Sequence, residues 1–329
     1  MSNNFSFDVD TVSWPMRAPF TIANYQWTAI ETVRVTLSQQ GHRGRGEGVP
    51  LFYRKESPES IAASIQTWLS QLDCMPSHDE IAACNLTGAA RNAIDAALWD
   101  LDAKCAGLSV WQLLKQTEPK QLPALITLVL DAPDKMATQA ESLTDFPILK
   151  LKLDAELIKE RVSVIRAARP DAVLLIDANC SWSKGALEDS MLALVDAQIA
   201  MLEQPLPPED DAVLASLGSP ISLCADESCQ TVDDLDRLRP RYDMINIKLD
   251  KCGGLTTGLR LAEAARAMGF EIMVGNMLGS SLAMAPAFYL AQVARYADLD
   301  GPLFISDDYD NPLRFESRSV FVPHSSLWG

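Results

Sequence analysis

From residue 122 onward, short apolar runs alternate with stretches in which apolar residues recur at helical spacing. The short runs predict buried β-strands, and stretches such as Leu157 to Ala168 predict amphipathic helices. Eight strand candidates occur in this part of the chain: residues 123–130, 148–153, 172–177, 199–203, 220–225, 244–249, 271–275 and 296–300. Eight strands that alternate with helices favour a closed parallel barrel over an open doubly wound sheet, and no dinucleotide or phosphate-loop motif opens any of the helices.

The N-terminal part of the chain predicts a separate α+β region. Segments such as Thr32 to Leu37 alternate apolar and polar residues with period two, so residues 5–50 form a predicted meander of strands. Further expectations are helices over 58–72 and 88–104, a hairpin turn and bulge at Gly41 to Gly48, and flexible loops over 21–28 and 49–56. The predicted division is an N-terminal capping domain over 1–121, a barrel over 122–300 and a C-terminal segment over 301–329 that returns to the capping domain.

Three carboxylates stand where apolar strand candidates end. Glu203 ends one run, Asp177 lies 26 residues before it, and Asp226 lies 23 residues after it. That period suits one strand, one loop and one helix, so we expect the three acids to meet at the mouth of the barrel. Three carboxylates that share a small site need a cation, and oxygen ligands suit Mg²⁺ or Mn²⁺.

Lysines occupy inward positions of two further strands. Lys150 and Lys152 alternate with leucines and share one face, and Lys248 shares a face with Asn246 on the sixth strand. With the strands in sequence order, Lys152 and Lys248 flank the three acids from opposite sides. One lysine can then remove the α-proton of a carboxylate substrate and the other can return a proton to the opposite face, while a metal neutralises the enediolate.

A lysine must be neutral to act as a base, so its pKa must fall. We expect the like charge of Lys150 to lower the pKa of Lys152, with partial burial and the metal contributing. Asn179 and Glu227 are expected to orient a ligand or a lysine. Taken singly, a strand lysine is usually solvated, and an acid after a strand often caps a helix. Five charged residues at regular strand ends favour a functional site.

Composition narrows the classes of function. The 329 residues carry a formal net charge of −16, which disfavours nucleic acid and anionic membranes as partners. No apolar run is long enough to span a membrane and the start of the chain lacks a signal-peptide pattern, so we expect a cytoplasmic protein. The seven cysteines are scattered and form no CxxC motif, so we expect them to be reduced thiols. The sequence leaves open whether the protein forms a homo-oligomer.

Histidine placement restricts the chemistry further. The three histidines, His42, His78 and His324, all lie outside residues 124–300. A zinc site built on histidines, a Ser-His-Asp triad and a histidine base are therefore disfavoured in the barrel. Any base there must be Lys, Asp, Glu or Cys.

Several stretches together resemble the enolase superfamily and, within its muconate-lactonising subgroup, the dipeptide epimerases. They are Gly88 to Asp100, Leu149 to Asp154, Asp177 to Asn179, Glu203 to Pro207, Ala225 to Ser228 and Asn246 to Gly254, in a likeness that spans about residues 14–305. The resemblance implies an α/β fold, a modified TIM barrel (β/α)7β with an α+β capping domain. It implies Mg²⁺ on Asp177, Glu203 and Asp226, acid/base catalysis by Lys152 and Lys248, and support from Lys150.

Two acids follow the eighth predicted strand. Enzymes similar to this chain hold the ammonium group of a dipeptide with such a pair, and Asp298 and Asp300 occupy that place here. A buried ammonium group needs a buried counter-charge, which two carboxylates supply. The alternative is that these acids cap the bottom of the barrel or a loop. The candidate substrate contacts are Asp298, Asp300, Asn24, Tyr25, Trp27, Arg54 and Met277.

One departure from the pattern bears on the substrate. L-Ala-D/L-Glu epimerases that resemble this chain carry an arginine near residue 24 for the glutamate side chain, and this loop has neither Arg nor Lys. Arg54 or Lys55 can take that role, or Tyr25 and Trp27 favour an apolar or aromatic side chain. We predict an isomerase that inverts the α-carbon of the C-terminal residue of a dipeptide.

Three other functions stay open at this point. A lyase of the o-succinylbenzoate synthase type or a muconate cycloisomerase would use the same metal and lysines. The substrate of that lyase carries no ammonium group, so Asp298 and Asp300 argue against it. The last alternative is a metal-binding barrel without catalysis.

Overall fold

The computed structural model describes residues 5–23 and 25–329. The chain begins with an antiparallel sheet whose strands neighbour one another in sequence order. These strands are β1 (Ser6–Ile22), β2 (Tyr25–Gln39) and β3 (His42–Gly48). Val33, Val35 and Leu37 of β2 are fully buried against the following helices, so the predicted period-two pattern marks the covered face of this sheet.

Four helices follow the sheet. They are α1 (Pro58–Ser70), α2 (His78–Ala83), α3 (Gly88–Ala106) and α4 (Val110–Leu113). The side chain of Ser57 accepts a hydrogen bond from the backbone of Ser60 and begins α1, and Gly107 ends α3 in the left-handed conformation. Most of α3 is buried because it lies between β3 on one side and the barrel on the other.

The glycines of β3 allow the sheet to approach α3 closely. A Cβ atom on Gly46 would lie 2.2 Å from the carbonyl oxygen of Ala93 in α3. The turn predicted over the whole glycine-rich run is confined to Gln40 and Gly41, and the later glycines lie in a regular strand. They are needed for close packing of sheet on helix, which the sequence pattern alone does not reveal.

The flexible loop predicted over 21–28 is wrong, because the described residues there lie almost entirely in β1 and β2, whereas 49–56 is a loop that contains one 3-10 turn. Phe20 pairs with Trp27, and β1 and β2 continue to the end of a hairpin. Phe52–Arg54 forms a 3-10 turn beside it. The rings of Tyr25 and Trp27 each contact Phe52, with centroids 4.4 and 5.0 Å apart. These aromatic contacts join segments that are distant in sequence, which local patterns cannot show.

Eight parallel strands form a nearly closed barrel, as predicted. The short strand β4 (Leu122–Pro123) precedes β5 (Leu125–Leu128), β6 (Ile148–Lys152), β7 (Val173–Asp177), β8 (Ile199–Glu203), β9 (Ser222–Ala225), β10 (Met244–Ile247), β11 (Glu271–Val274) and β12 (Tyr296–Ala297). The sheet runs from β5 to β12 in sequence order. Residues that end consecutive strands are therefore neighbours in space.

Helices cover the outside of the barrel and bury one extended hydrophobic core. They are α5 (Pro133–Ser142), α6 (Ile158–Ala168), α7 (Lys184–Asp196), α8 (Leu235–Leu238), α9 (Leu249–Cys252), α10 (Leu255–Ala267), α11 (Ser281–Leu290) and α12 (Gly301–Phe304). Across residues 5–23 and 25–329, no helix combines the length and the apolar character that crossing a bilayer requires.

The last residues of the chain contact the N-terminal region. Strand β13 (Phe315–Glu316) pairs with β14 (Ser319–Val320), which pairs with β4. The indole nitrogen of Trp328 then donates to the carbonyl oxygen of Ala96 in α3, at 2.9 Å. The domain boundaries at residues 121 and 300 stay predictions.

The partly buried His78 links the helices of the N-terminal region to the barrel. Its Nδ1 lies 2.7 Å from Asp95 and its Nε2 lies 3.2 Å from Asp102, and Asp95 also accepts two hydrogen bonds from Thr256 at the start of α10. The ring of this residue, His78, stacks on Trp99 with centroids 4.1 Å apart. Burial lowers the pKa of His78, but the bonds to Asp102 and Asp95 outweigh it and raise the pKa to about 9.

This histidine should make stability depend on pH. Because the pKa of His78 is raised from 6.5 to about 9, the protonated ring stabilises the fold fully below pH 6.5, and that contribution is lost as the pH rises to 9. The free energy of unfolding of the wild type should exceed that of His78→Gln by up to about 3 kcal/mol at pH 6, and by much less at pH 9.5. Urea titrations at both pH values measure this difference, and a difference independent of pH would contradict the assignment.

Candidate active site

The candidate site lies where the interior of the barrel changes from apolar to polar. One residue of each strand contributes to an apolar cluster, namely Leu125, Ile148, Leu175, Met201, Cys224, Met244, Met273 and Tyr296. Side chains alternate along a strand, so the residue two positions later faces the same way. These later residues are Thr127, Lys150, Asp177, Glu203, Asp226, Asn246, Gly275 and Asp298. The polar layer stands at the carboxyl ends of the strands, where barrel enzymes carry their active sites.

The three predicted acids come together in this layer. Asp177 lies opposite Glu203 in the register of β7 and β8, and Asp226 directly follows β9. One oxygen of each carboxylate lies within 4.8 Å of the others, and all three side chains are buried. Glu203 Oε2 accepts no hydrogen bond from the described residues, although Lys150 Nζ lies 2.9 Å away. A carboxylate oxygen with spare capacity among three converging acids fits a hard cation.

Lys150 occupies the centre of the site and neutralises several acids at once. Its Nζ lies 3.1 Å from Asp177 Oδ2, 2.9 Å from Glu203 Oε2 and 2.9 Å from Asp298 Oδ2. Burial lowers the pKa of Lys150, but the attraction of these acids outweighs it, and the pKa is raised. Lys150 therefore serves as a counter-ion inside the barrel.

Lys152 lies at one end of the row of acids. Its Nζ donates to Asp177 Oδ2 at 2.6 Å and to Asn179 Oδ1 at 3.1 Å. The amide nitrogen of Asn179 in turn donates to Glu227 Oε1 at 3.5 Å. Asn179 and Glu227 thus form a chain of polar contacts behind this lysine.

Lys248 lies at the opposite end of the row. Its Nζ donates to Asp226 Oδ2 at 2.7 Å. A further lysine in α9, Lys251, donates to Asp226 Oδ1 at 2.6 Å and to the carbonyl oxygen of Asn246 at 3.0 Å. Because β6 and β10 are separated by the three strands that carry the acids, Lys152 and Lys248 flank the acids from opposite ends.

Burial raises the pKa of both Glu203 and Asp177, and the neighbouring charges either add to this effect or oppose it. Burial, followed by repulsion from Asp177, raises the pKa of Glu203 to about 7. The pKa of Asp177 is lowered, because attraction by Lys150 and Lys152 outweighs its burial. The row of acids is therefore held together by the lysines, and Glu203 is the member whose charge is least compensated.

For Lys248, the pKa is raised in this arrangement and not lowered as expected. Burial lowers the pKa of Lys248, but the attraction of Asp226 outweighs it. Lys150 was expected to lower the pKa of Lys152 by its like charge, but three acids contact Lys150 and compensate that charge. The sequence showed two neighbouring lysines but not the acids that face them.

Asp298 and Asp300 face the same cavity from the end of β12. Both side chains are buried. Asp298 Oδ2 accepts from Lys150, and Asp300 Oδ2 accepts from the backbone nitrogen of Thr127 at 2.7 Å. The alternative position at the bottom of the barrel is thus wrong, since both acids lie in the polar layer at its mouth.

Two family models match the chain. Residues 6–115 match the N-terminal domain of the mandelate racemase / muconate lactonizing enzyme family, and residues 135–325 match the enolase C-terminal domain-like family. The chain belongs to the enolase superfamily. The family and fold predicted from the sequence are confirmed.

Relatives within the superfamily are epimerases and racemases. L-Ala-D/L-Glu epimerase of Escherichia coli (strain K12) is 43% identical over 312 residues, which cover 94% of this chain and 97% of that protein. N-acetyl-D-glutamate racemase of Pseudoalteromonas sp is 45% identical over 242 residues, which cover 74% and 76%. A structure of an enolase family member from Agrobacterium tumefaciens, with bound sodium and L-Ala-L-Glu, has a TM-score of 0.95, is 39% identical, and covers 99% of this chain and 100% of that one. The isomerase class is thereby confirmed.

The superfamily site opens into a cavity of about 320 Å³ between the barrel mouth and the N-terminal region. A second cavity of about 420 Å³ adjoins it, and Ile22, Phe52 and Tyr53 line both. Of the predicted substrate contacts, Trp27 and Met277 line the first cavity, Tyr25 and Arg54 line the second, and Asn24 lies outside the described residues. The predicted substrate contacts among the described residues are therefore divided between two adjoining cavities.

Three polar residues of the site were not assigned from the sequence: Gln204, Lys251 and Asn276. Gln204 Oε1 accepts from the backbone nitrogens of Asp226 and Ser228, and thereby ties the loop after β9 to the end of β8. Lys251 follows Lys248 by three residues, and that spacing on a helical turn was the available signal. Asn276 contacts acids 22 and 24 residues away, for which the sequence carries no local signal.

Proposed function

We propose that this chain is a divalent-metal-dependent dipeptide epimerase, which inverts the α-carbon of the C-terminal residue of its substrate. The observation that carries the proposal is the placement of Lys152 and Lys248 at opposite ends of the buried row of acids. The epimerase from E. coli and the bound dipeptide of the A. tumefaciens structure support the same conclusion.

The donor set fits Mg²⁺, with Mn²⁺ as the alternative. Asp177, Glu203 and Asp226 offer three converging carboxylate oxygens, and hard cations of this kind prefer oxygen ligands. When bound, the ion neutralises negative charge that develops on the substrate carboxylate as its α-proton leaves.

Two lysines move the proton in this proposal. Lys152 exchanges a proton with one face of the α-carbon and Lys248 with the other, so that removal on one side and return on the other inverts the centre. Asn179 accepts a hydrogen bond from Lys152 and holds its ammonium group in place. Lys150 stays paired with its acids and takes no part in proton transfer.

Asp298 and Asp300 bind the free amino group of the dipeptide. They lie after β12, on the other side of the cavity from the strands β7, β8 and β9 that carry the proposed metal ligands. A dipeptide whose carboxylate lies at the metal can therefore extend its amino end towards these two acids. A buried ammonium group gains a charge-assisted hydrogen bond there.

The two-lysine mechanism predicts loss of exchange in one stereoisomer at a time. Lys152→Ala and Lys248→Ala should each block α-proton exchange of one of L-Ala-L-Glu and L-Ala-D-Glu, because each lysine serves one face. Epimerisation should fall by at least about 100-fold in both variants. Deuterium uptake from D₂O, followed by NMR with Mg²⁺ present, measures the exchange. Lys159→Ala, on the exposed face of α6, is the matched control. Two variants that both leave exchange intact would rule the mechanism out.

Metal dependence is tested separately. Chelation should abolish exchange, and added Mg²⁺ should restore it. Glu203→Gln should weaken Mg²⁺ binding to the substrate-free protein by at least about 10-fold, measured by calorimetry, because it removes one negative ligand. Glu271→Gln, which changes an exposed acid paired with Arg295, should bind Mg²⁺ as the wild type does. Unchanged affinity in Glu203→Gln would contradict the proposed ligand set.

The second cavity is the proposed place for the side chain of the substrate's C-terminal residue. Arg54 Nη2 donates there to Gln230 Oε1 at 3.0 Å, and no acid of the described chain forms a salt bridge with this guanidinium. Glu209 and Glu227 line the same cavity and would repel an anion. Arg54 is the lining residue that can attract one. The glutamate in the names of the relatives supports an acidic side chain.

Loss of this guanidinium should therefore affect acidic substrates selectively. Arg54→Ala should raise the KM for L-Ala-L-Glu about 10-fold and change that for the neutral isostere L-Ala-L-Gln by less than about 2-fold. Steady-state kinetics on both dipeptides measure the contrast. Lys55→Ala is the control, because Lys55 lines neither cavity. If L-Ala-L-Phe proves the better substrate of the wild type, Tyr25 and Trp27 define the preference instead.

A second candidate function is racemisation of N-acylated amino acids, which the similarity to N-acetyl-D-glutamate racemase favours. Such a substrate carries no ammonium group, and neither does that of the lyase alternative. The buried pair Asp298 and Asp300 supports the dipeptide, because an uncharged acyl group gains little from two carboxylates. Deuterium uptake into N-acetylglutamate in preference to L-Ala-L-Glu would favour the second candidate.

A further inference from the structure

Asn276, in the loop after β11, lies between the two acids at the end of β12. Its amide nitrogen Nδ2 lies 3.2 Å from Asp298 Oδ1 and 3.4 Å from Asp300 Oδ1, and it donates to the carbonyl oxygen of Asp298 at 2.8 Å. Its Oδ1 accepts from the backbone nitrogen of Leu278 at 2.7 Å. The amide is therefore fixed on both sides, and its orientation is set by the bond from Leu278.

Each acid has one oxygen held by another donor. Asp298 Oδ2 accepts from Lys150 Nζ at 2.9 Å, and Asp300 Oδ2 accepts from the backbone nitrogen of Thr127 at 2.7 Å. The remaining oxygen of each carboxylate faces Asn276. The two acids are thus anchored at their outer oxygens by different strands, and the two inner oxygens share one amide group.

The two buried carboxyl groups have a donor in common, which is the amide nitrogen of Asn276. Burial and repulsion by Asp298 raise the pKa of Asp300 to about 8, which shows how strongly the pair resists carrying two charges. One amide hydrogen of Asn276 is directed to the carbonyl oxygen of Asp298, and the other can be shared between the two inner oxygens. Asn276 is the neutral group that holds the inner oxygens together in the absence of a positive charge from a ligand.

We propose that Asn276 is a positioning residue, which aligns the inner oxygens of Asp298 and Asp300 so that together they bind the ammonium group of a substrate and discriminate against N-acylated molecules. This inference rests on the proposed function and extends it. The distances from Asn276 to the two inner oxygens exceed the usual 2.9–3.0 Å, and each carboxylate oxygen can accept more than one hydrogen bond. An ammonium group offers three donors and a charge, whereas an acylated nitrogen offers one donor and no charge.

Ligand binding tests this role independently of turnover. Calorimetric dissociation constants are measured for L-Ala-L-Glu and for N-acetyl-L-Ala-L-Glu, with Mg²⁺ present, on the wild type and on Asn276→Ala. The variant should bind the free dipeptide about 10-fold more weakly, because the aligned pair is lost, and should bind the acetylated one within about 2-fold of the wild type. Asn276→Ser, which keeps a shorter donor, should fall between them.

The controls separate this inference from the proposed function. If wild-type protein exchanges the α-proton of L-Ala-L-Glu but Asn276→Ala binds the free dipeptide as tightly as before, the inference alone is wrong. Equal weakening for the free and acetylated dipeptides also overturns it, because a general distortion of the site would act on both. If Asn276→Ala does not fold, judged by thermal unfolding, Asn276→Ser must itself show the selective loss, and its failure to do so refutes the positioning role. Absence of exchange in the wild type would instead count against the epimerase proposal.

Discussion

Charge buried at the mouth of the barrel is the constraint on which the site depends. Isolated ions in such a place cost several kcal/mol each, so every acid must face a lysine, a cation or a fixed dipole. Lys150 meets this demand for three acids at once, and Lys248 and Lys251 meet it for Asp226. The only acid of the proposed metal set with a raised pKa is Glu203, which is also the one with a spare oxygen. Charge balance and metal binding are thus two aspects of one arrangement.

The barrel holds this arrangement rigidly. Each charged residue of the polar layer stands two positions beyond an apolar residue that packs in the interior, so the direction of its side chain is set by the strand. The backbone that leaves the strands is bent sharply. Asn179, Cys180, Gln204 and Leu278 all have positive φ values, in loops that follow β7, β8 and β11. Such backbone is unfavourable for residues other than glycine, and it concentrates at functional sites.

In its described residues, the N-terminal region contributes part of the walls of the two cavities and none of the buried lysines or acids that contact one another in the polar layer. Its hairpin and 3-10 turn bring aromatic rings over the barrel mouth, and Arg54 extends from that turn. In the proposed function, the barrel provides the chemistry and binds the amino group of the substrate, and the N-terminal region contributes to recognition of the substrate side chain.

The sequence by itself determined the strands of the barrel, the inward face of the two strands that carry Lys150, Lys152 and Lys248, and the identity of the three acids that converge. These features follow from periodicity and spacing along a single strand, which are local. The tertiary structure decided which charges neutralise one another. Lys150 meets Asp298, 148 residues away, and Asn276 joins two acids of another strand. Such pairings depend on barrel closure and on the path of each loop, so the lysine expected to repel its neighbour serves as a counter-ion, and one of the loops expected to be flexible forms an aromatic hairpin.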